Sequence, residues 1–274
     1  MAQQPQHQII VPGEQPLYVT FQRYGKPATW LPLAVAFIAL AIWYLLTRDN
    51  TNAFIVAPPL KVASQFLTSL GDGSLLANVG TTLSEIGIGL LFGVGSAFVL
   101  GCGIAKSKVL EQAIGPYAVG FQAVPIVAIA PVLIRFLGPG LLTNGMISAF
   151  VVFFPMLVST IVGLRSVDPD LREMMRALKA TPWQTFTRLE LPAAMPILFG
   201  GLKISTILAV VGTVVGEAVS SQSGLGFLIY YARYTYDTSL VYVGIFTLTA
   251  LALALYEIVA RLERRTLRWQ HAGH

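Results

Sequence analysis

The feature that most constrains this chain is a series of long apolar segments that carry almost no charge. Six of them are long enough to cross a bilayer as helices, since about 20 residues rising about 1.5 Å each match a hydrocarbon core about 30 Å thick. They are 30–46, 86–104, 113–137, 141–164, 193–216 and 241–259. Only 11% of the 274 residues are charged, against about 25% in soluble domains. The segments predict an all-α integral membrane protein with six transmembrane helices.

The distribution of basic residues predicts the orientation of these helices. Of the 18 Lys and Arg residues, those outside the spans lie mainly on the side that would hold both termini. Basic residues are retained on the cytoplasmic side of membrane proteins. We therefore expect cytoplasmic tails at 1–29 and 266–274, flanking a six-helix domain over 30–265. The same bias explains the net charge of +5 without a nucleic-acid partner.

Residue types that carry catalysis or metal binding are scarce in the apolar segments. The single cysteine is Cys102, and the three histidines are His7, His271 and His274, all in the tails. No nucleophile–base pair and no metal-ligand spacing can be identified. We expect no catalytic site, no metal site and no cofactor bound by this chain.

Residues 165–192 form a polar segment between two predicted spans, and their sequence is highly organised. Asp168 and Thr181 are each followed by proline, a pattern typical of an N-cap and the first helical residue. Leu171, Met174, Met175 and Leu178 fall at helical spacing and form one apolar stripe on the first helix. Trp183, Phe186 and Leu189 lie on the apolar side of a second short helix. Two short amphipathic helices of this kind favour docking on another protein. Adsorption to the lipid surface is the alternative.

The same loop resembles the "EAA" loop of permeases from binding-protein-dependent ABC importers. That family pattern is Glu-Ala-Ala, three residues, Gly, nine residues, then Ile-x-Leu-Pro. Glu173, Leu191 and Pro192 match it, and Leu189 stands for the isoleucine. Departures from the pattern are Met174 and Met175 in place of the alanines and Lys179 in place of the glycine that forms a sharp corner. A looser corner, or a corner made by Thr181 capping, would follow.

Further segments resemble the nitrate/sulfonate/taurine-type branch of that family, which includes riboflavin and thiamine-precursor permeases. They are Ala57-Pro58-Pro59, 125–131 and Gly224-Leu225-Gly226 after Glu217. The resemblance implies a type I ABC importer-like permease fold in the bacterial cell membrane. It also implies a permease homodimer, two ABC ATPase subunits and an extracytoplasmic solute-binding protein. The chain lacks the Gly-x-x-x-x-Gly-Lys-Ser/Thr phosphate loop, so ATP would be bound and hydrolysed by the partner.

The resemblance assigns contact with the ATPase to the loop. The residues expected to carry it are Glu173, Met174, Met175, Arg176, Lys179, Thr181, Trp183, Leu191 and Pro192. Polar or proline residues within the spans are candidates for the translocation pathway, since polar groups in lipid should face the interior. They are Gln122, Pro125, Pro131, Asn144, Ser148 and Thr213. Structural hydrogen bonding between helices is the alternative for each.

Glu217, Gly224 and Gly226 are candidates for an outer gate or for contact with the binding protein, with a solvated turn as the alternative. The aromatic residues Tyr117, Phe121, Phe150, Phe153 and Phe154 suit a flat ring by stacking, although lipid-facing packing would explain them equally well. Few basic residues lie within the spans to hold an anion. We therefore favour a heteroaromatic vitamin or precursor, such as riboflavin or a thiamine pyrimidine, over nitrate, a sulfonate or taurine. An ion-driven secondary transporter is the alternative of another class.

Overall fold

A computed structural model describes residues 30–47, 56–122 and 124–268. These residues form eleven α-helices and one turn of π-helix, Phe186–Glu190, between α8 and α9. The α-helices are α1 Trp30–Thr47, α2 Pro59–Gly71, α3 Ser74–Lys106, α4 Lys108–Gln122, α5 Ile126–Leu137, α6 Leu141–Arg165, α7 Pro169–Ala177, α8 Pro182–Thr185, α9 Leu191–Ser220, α10 Leu225–Tyr234 and α11 Thr238–Thr266. The predicted all-α fold is confirmed.

Four continuous helical segments are long and apolar enough to cross a membrane. They are Ser74–Lys106, Leu141–Arg165, Pro182–Ser220 and Thr238–Thr266. They contain the second, fourth, fifth and sixth predicted spans. Shorter apolar helices lie at Ala34–Thr47 and Ile126–Leu137. The count of six spans and the position of the termini remain predictions.

The third predicted span, 113–137, is not one helix, and this corrects the sequence-based expectation. Helix α4 ends at Gln122, and α5 begins at Ile126 after Pro125, whose backbone is extended at φ −63° and ψ 121°. Proline has no amide to donate and disfavours helical conformation in the residue before it. The break therefore follows from Pro125, whereas Pro131 is accommodated inside α5.

The core of the fold is formed by α6, which lies against both α3 and α9 at very short range. Glycines permit this approach: a Cβ on Gly93 would lie 2.7 Å from the carbonyl oxygen of Ala149, and one on Gly212 would lie 2.8 Å from the Cα of Ser148. Small residues at such interfaces let helix backbones approach where lipid removes the hydrophobic drive for association. The position of α6 is thus fixed on two sides.

The three helices define two ends of the bundle. Helices α3 and α6 end, and α9 begins, beside the loop 165–192. Glu85 of α3 lies 21 residues before Lys106, which is about 30 Å away at the rise of an α-helix. Asn144 and Glu217 belong to the same far end, because Asn144 contacts Glu85 and Glu85 contacts Glu217. The loop and this polar cluster therefore lie at opposite ends of the helices.

Replacing Gly93 by alanine tests the close packing of α6. We expect Gly93→Ala to destabilise the protein by about 1–3 kcal/mol, the usual effect of overpacking, because the carbonyl of Ala149 belongs to a rigid helix. Gly95→Ala in the same helix is the matched control, since nothing lies within 4 Å of a Cβ at Gly95. Thermal unfolding in detergent micelles measures both. Equal melting temperatures for the two variants would contradict the packing.

Candidate functional site

The loop at 165–192 begins with a well-capped helix. Asp168 accepts a hydrogen bond from the amide of Asp170 at 2.9 Å, and Pro169 is the first residue of α7. The apolar stripe of α7 faces outward, with Leu171 42% and Leu178 69% exposed. Exposed apolar side chains in one row mark interaction surfaces. The predicted cap and stripe are confirmed.

A sharp corner follows α7 although no glycine is present. Lys179 adopts the left-handed conformation with φ 55°. Its amide donates to the carbonyl of Arg176 at 2.9 Å, and the amide of Ala180 donates to that of Met175 at 3.0 Å. This is the hydrogen-bond pattern of a Schellman motif. A non-glycine residue in this conformation costs about 1–2 kcal/mol, and the surrounding caps hold it there.

The second half of the loop is capped in the predicted way. Thr181 and Gln184 form a reciprocal capping box, with the two hydrogen bonds at 3.2 and 2.8 Å. The Trp183 ring is 71% exposed and lies 5.9 Å, between centroids, from the ring of Phe186. Trp183 is therefore a second exposed apolar group of the loop, after those of α7. We call this exposed set, Leu171, Met174, Leu178 and Trp183, the apolar stripe.

A charged group that the sequence analysis did not single out ties the loop to the helices. Glu190 lies 3.4 Å from Lys106 Nζ of α3 and 3.5 Å from Arg172 Nε of α7. Arg172 also donates to the carbonyl of Leu164, at the end of α6, at 2.6 Å. Lys106 Nζ lies 4.6 Å above the ring of Phe186. The ends of α3 and α6 are thereby joined to the loop. Glu190 occupies the unspecified position of the Leu-x-Leu-Pro match, so that motif gave no signal for it.

A second contact at this end joins α6 to α4. Arg165 donates to both carboxylate oxygens of Glu111, at 2.6 and 2.8 Å, and to the carbonyl of Ile104 at 3.2 Å. The hydrogen bonds from Arg165 lower the pKa of Glu111 below its ordinary value. Arg165 therefore adds a second hydrogen bond to a carbonyl in the last turn of α3, which also accepts from the amide of Ser107 at 3.2 Å.

The structure places the predicted pathway residues in different surroundings. Asn144, Ser148 and Thr213 are buried between helices, and Ser148 donates to the carbonyl of Ala209 at 2.9 Å. Pro125 and Pro131 are exposed on α5. The side chain of Gln122, at the end of α4, lies outside the described part of the structure. Hydrogen bonds to neighbouring helices favour the structural alternative for Asn144 and Ser148, whereas Thr213 Oγ1 is buried and has no hydrogen-bond partner within the described residues. The pathway role of all three remains a prediction.

The predicted gate residues, in contrast, are brought together. Glu217 is 1% exposed and accepts hydrogen bonds from Thr82 Oγ1, at 2.6 Å, and from the amide of Gly226. Gly224 has φ +108°, and a Cβ there would collide with the Glu217 carboxylate. The solvated turn is thus wrong for Glu217. Glu85, which the sequence analysis did not nominate, lies beside it. The gate role itself remains a prediction.

An aromatic cavity lies between α3, α4, α5 and α6. Its volume is about 520 Å³, and its lining includes Tyr117, Phe150, Phe153 and Phe154. The ring of Phe154 stands edge-on to those of Phe150 and Phe153, at centroid distances of 5.5 and 5.1 Å. The side chain of Phe121, predicted to join them, is outside the described part of the structure. The cavity presents flat apolar faces, and Ser96, one of the two hydroxyl-bearing residues in its lining, already donates to the carbonyl of Phe92 at 2.6 Å.

Taken together, a bundle of long apolar helices and a capped, exposed loop are typical of an integral membrane protein. Comparison with known proteins identifies the family. Residues 89–268 match the model of the binding-protein-dependent transport system inner membrane component. The chain belongs to this family of ABC importer permeases, and it is an integral protein of the cell membrane.

Three relatives of similar sequence are transport permeases, and their names give different substrates. The riboflavin transport system permease RibX of Chloroflexus aurantiacus is 36% identical over 97% of this chain and 99% of its own length. The formylaminopyrimidine transport permease ThiX of Halalkalibacterium halodurans is 26% identical over 87% and 95%. The putative aliphatic sulfonates transport permease SsuC of Bacillus subtilis is 28% identical over 92% and 90%.

Solved structures agree on the fold. An inward-facing MetNI methionine ABC transporter chain superposes with TM-score 0.59 at 20% identity, over 70% of this chain and 94% of that chain. A chain of a bacterial ABC transporter that imports alginate gives TM-score 0.54 at 21% identity, over 91% and 98%. Both carry the ABC importer permease fold, which supports the fold predicted from the sequence.

Substitutions at Lys179 test whether the left-handed corner organises the loop. We expect Lys179→Gly to keep the corner, since glycine adopts this conformation freely. Lys179→Val should open it, because a β-branched residue is a strong outlier there. Hydrogen exchange of the amides at 179 and 180 should then be roughly tenfold faster in the valine variant, equivalent to about 1.4 kcal/mol. Unchanged protection in that variant would mean that the corner is held by other contacts.

Proposed function

We propose that the chain is the permease subunit of an ABC importer in which the loop 165–192 receives the ATPase. The observation that carries this proposal is the apolar stripe, exposed on a loop whose position is fixed by caps and by Glu190. A helix presented by its apolar face suits a hydrophobic groove on another protein. The charged side chains around the stripe, such as Glu173 and Arg176, would set the register.

The rigidity of the loop supports a mechanical role. If the loop were flexible, a movement of the ATPase would rearrange the loop locally and would not reach the helices. This loop is joined through Glu190 to α3 and through Arg172 to the end of α6. Closure of the ATPase on ATP would therefore shift α3 and α6 together. In thermodynamic terms, ATP binding biases an element that has two arrangements. Lys179, Thr181, Leu191 and Pro192 act here by holding the shape of the loop.

The proposed assembly contains two copies of this chain, two ATPase subunits on the cytoplasmic side and an extracytoplasmic solute-binding protein. With the loop cytoplasmic, the cluster around Glu217 faces the binding protein's side of the membrane, and both termini are cytoplasmic. ATP is bound by the partner, and this chain is not itself catalytic. Membership in the ABC permease family decides against an ion-driven secondary transporter.

Truncation of the apolar stripe tests the docking role. We expect Trp183→Ala to weaken binding of the cognate ATPase by about 2 kcal/mol or more, the effect of losing a large aromatic anchor, and charge reversal in Glu173→Arg to uncouple ATP hydrolysis from uptake. Leu91→Ala is the control, since Leu91 is equally exposed, at 71%, in the middle of the apolar part of α3. Co-purification and uptake in proteoliposomes measure both effects.

Two outcomes distinguish docking from the lipid-surface alternative. Loss of the ATPase from the purified complex with membrane insertion unchanged supports docking. Trp183→Ala and Glu173→Arg variants that assemble and transport as the parent does would contradict it.

For the substrate, we propose a heteroaromatic vitamin or precursor, with riboflavin first and a thiamine pyrimidine second. Support comes from the riboflavin permease that matches nearly the full length of this chain and from the aromatic lining of the cavity, which suits stacking of flat rings. An anion path is less well supported, because Lys203 of α9 is already paired with Glu263 at 2.7 Å. Nitrate, sulfonate and taurine are the alternatives.

Uptake by cells that express the complete importer tests the substrate. We expect labelled riboflavin to accumulate in an ATP-dependent way, and Phe153→Ala to reduce its uptake more than Phe136→Ala, since Phe136 is 82% exposed away from the cavity lining. Competition by a formylaminopyrimidine without competition by riboflavin would move the assignment to the thiamine precursors. Uptake of taurine or nitrate alone would overturn the heteroaromatic assignment.

A further inference from the structure

The N-terminus of α10 is held by side chains from two other helices. The first amides of a helix lack partners within the helix and need acceptors elsewhere. The donor–acceptor pairs here are the amide of Gly224 with Asn78 Oδ1 at 2.7 Å, the amide of Leu225 with Thr82 Oγ1 at 2.8 Å, and the amide of Gly226 with Glu217 Oε2. Helix α10 is thereby fastened to α3 and α9.

Glu217 is bound in a way that suits the ionised carboxylate. Its Oε1 accepts from the hydroxyl of Thr82 at 2.6 Å, and its Oε2 accepts from the amide of Gly226. Amides at a helix N-terminus together carry partial positive charge, which stabilises an anion. Both carboxylate oxygens of Glu217 therefore face donors.

Glu85 is bound differently. It is 1% exposed, and its Oε1 accepts from Asn144 Nδ2 at 2.8 Å. Its Oε2 is buried and meets no donor in the described part of the structure. The titratable group that faces Glu85 from the neighbouring helices is the Glu217 carboxyl, which lies within hydrogen-bonding range.

Two negative charges side by side in this buried environment would repel strongly, and the hydrogen bonds to Glu217 and to one oxygen of Glu85 leave Glu85 Oε2 without a donor. Within the described residues, neither Glu85 nor Glu217 forms an ion pair with a Lys, Arg or His side chain. No group of three metal-ligating side chains occurs in the same part of the chain. A single proton on one carboxyl removes the repulsion and turns the contact into a strong hydrogen bond.

We propose that Glu85 and Glu217 form a proton-binding site that holds one proton between them, carried by Glu85 Oε2 and donated to Glu217. The proton lies on Glu85 because Glu217 already accepts from two donors, whereas Glu85 Oε2 has none. The resulting hydrogen bond joins α3 to α9, beside the bonds that fasten α10 to both helices. Neither the transported solute nor the ATPase contact enters this proposal.

Matched glutamine variants test the position of the proton. Glu85→Gln supplies an amide that can donate to Glu217 as the protonated acid does, and keeps a carbonyl for Asn144. Glu217→Gln places an amide against donors it cannot satisfy. We expect the purified Glu85→Gln protein to melt within about 2 °C of the parent, and the Glu217→Gln protein to melt several degrees lower, the shift that about 1–2 kcal/mol produces in a chain of this size.

Infrared spectroscopy of the purified protein gives a readout independent of stability. At neutral pH we expect a band from a buried protonated carboxyl in the parent, which disappears in Glu85→Gln and persists in the control Glu257→Gln, whose carboxylate is exposed. Removing the proton at high pH leaves two adjacent negative charges. The melting temperature of the parent should therefore fall as the pH rises, by more than that of Glu85→Gln.

Several outcomes would overturn the proposal. If the Glu217→Gln protein is stable and the Glu85→Gln protein is not, the proton lies on Glu217 and not on Glu85. An infrared band that remains in both the Glu85→Gln and the Glu217→Gln protein would mean that these two residues share no proton. A melting temperature that rises with sodium, but not with choline at equal ionic strength, would identify a cation site instead. If the Glu217→Gln protein cannot be isolated in a folded state, the infrared spectrum of Glu85→Gln and the pH dependence of its melting temperature decide whether the proposal holds.

Discussion

The close packing of α6 against α3 and α9 is the constraint on which the rest of this structure depends. In lipid, helices gain little from burying apolar surface against one another, so association relies on contact at short range and on interhelical hydrogen bonds. Gly93 and Gly212 allow the contact, and Ser148 adds a hydrogen bond to the backbone of α9. A side chain larger than hydrogen at either glycine would separate helices that carry functional groups at both of their ends.

At one end, this packing positions the charges that hold the loop 165–192. Lys106, Arg172 and Glu190 come from α3, α7 and the π-helical turn before α9, and they meet because the ends of α3 and α6 are side by side. Partly buried ion pairs of this kind are screened by solvent much less than exposed ones. We therefore expect the loop to move with the helices rather than independently of them.

At the other end, the same three helices bring together Glu85, Asn144 and Glu217. Burial there excludes water, so the repulsion between the two carboxylates must be relieved by groups of the protein itself. A shared proton does so and leaves α10 attached through its N-terminal amides. The bundle thus carries the loop 165–192 and a buried acid pair at opposite ends, about 30 Å apart.

Much of the fold could be predicted from the sequence because its signals are local. The length of the apolar segments, the Asp168-Pro169 and Thr181-Pro182 caps and the spacing of the apolar stripe each depend on neighbouring residues. The break at Pro125 was not predicted, because the sequence is highly hydrophobic on both sides of it. Lys179 shows that a corner can form without the usual glycine when the flanking caps enforce it.

The contacts of Glu85 with Glu217, and of Glu190 with Lys106, could not be predicted in this way. Each joins residues that are far apart in sequence, and nothing in the local pattern distinguishes Glu85 from a lipid-edge glutamate. Asn144 and Ser148 were recognised as polar groups that need partners, but only the packing of α6 shows which partners they have. The substrate is harder still to predict, because the cavity presents aromatic faces and few polar groups that would select one ligand.

Photo-crosslinking in the assembled importer tests the central claim most directly. A photoreactive residue at position 178, in the apolar stripe, should form an adduct with the ATPase subunit, and one at position 158, exposed on the membrane part of α6, should not. The yield at position 178 should also change when ATP is bound, because the loop is joined to α3 and α6. Adducts of position 178 with lipid alone, and none with the ATPase in either nucleotide state, would contradict the docking of the motor at this loop.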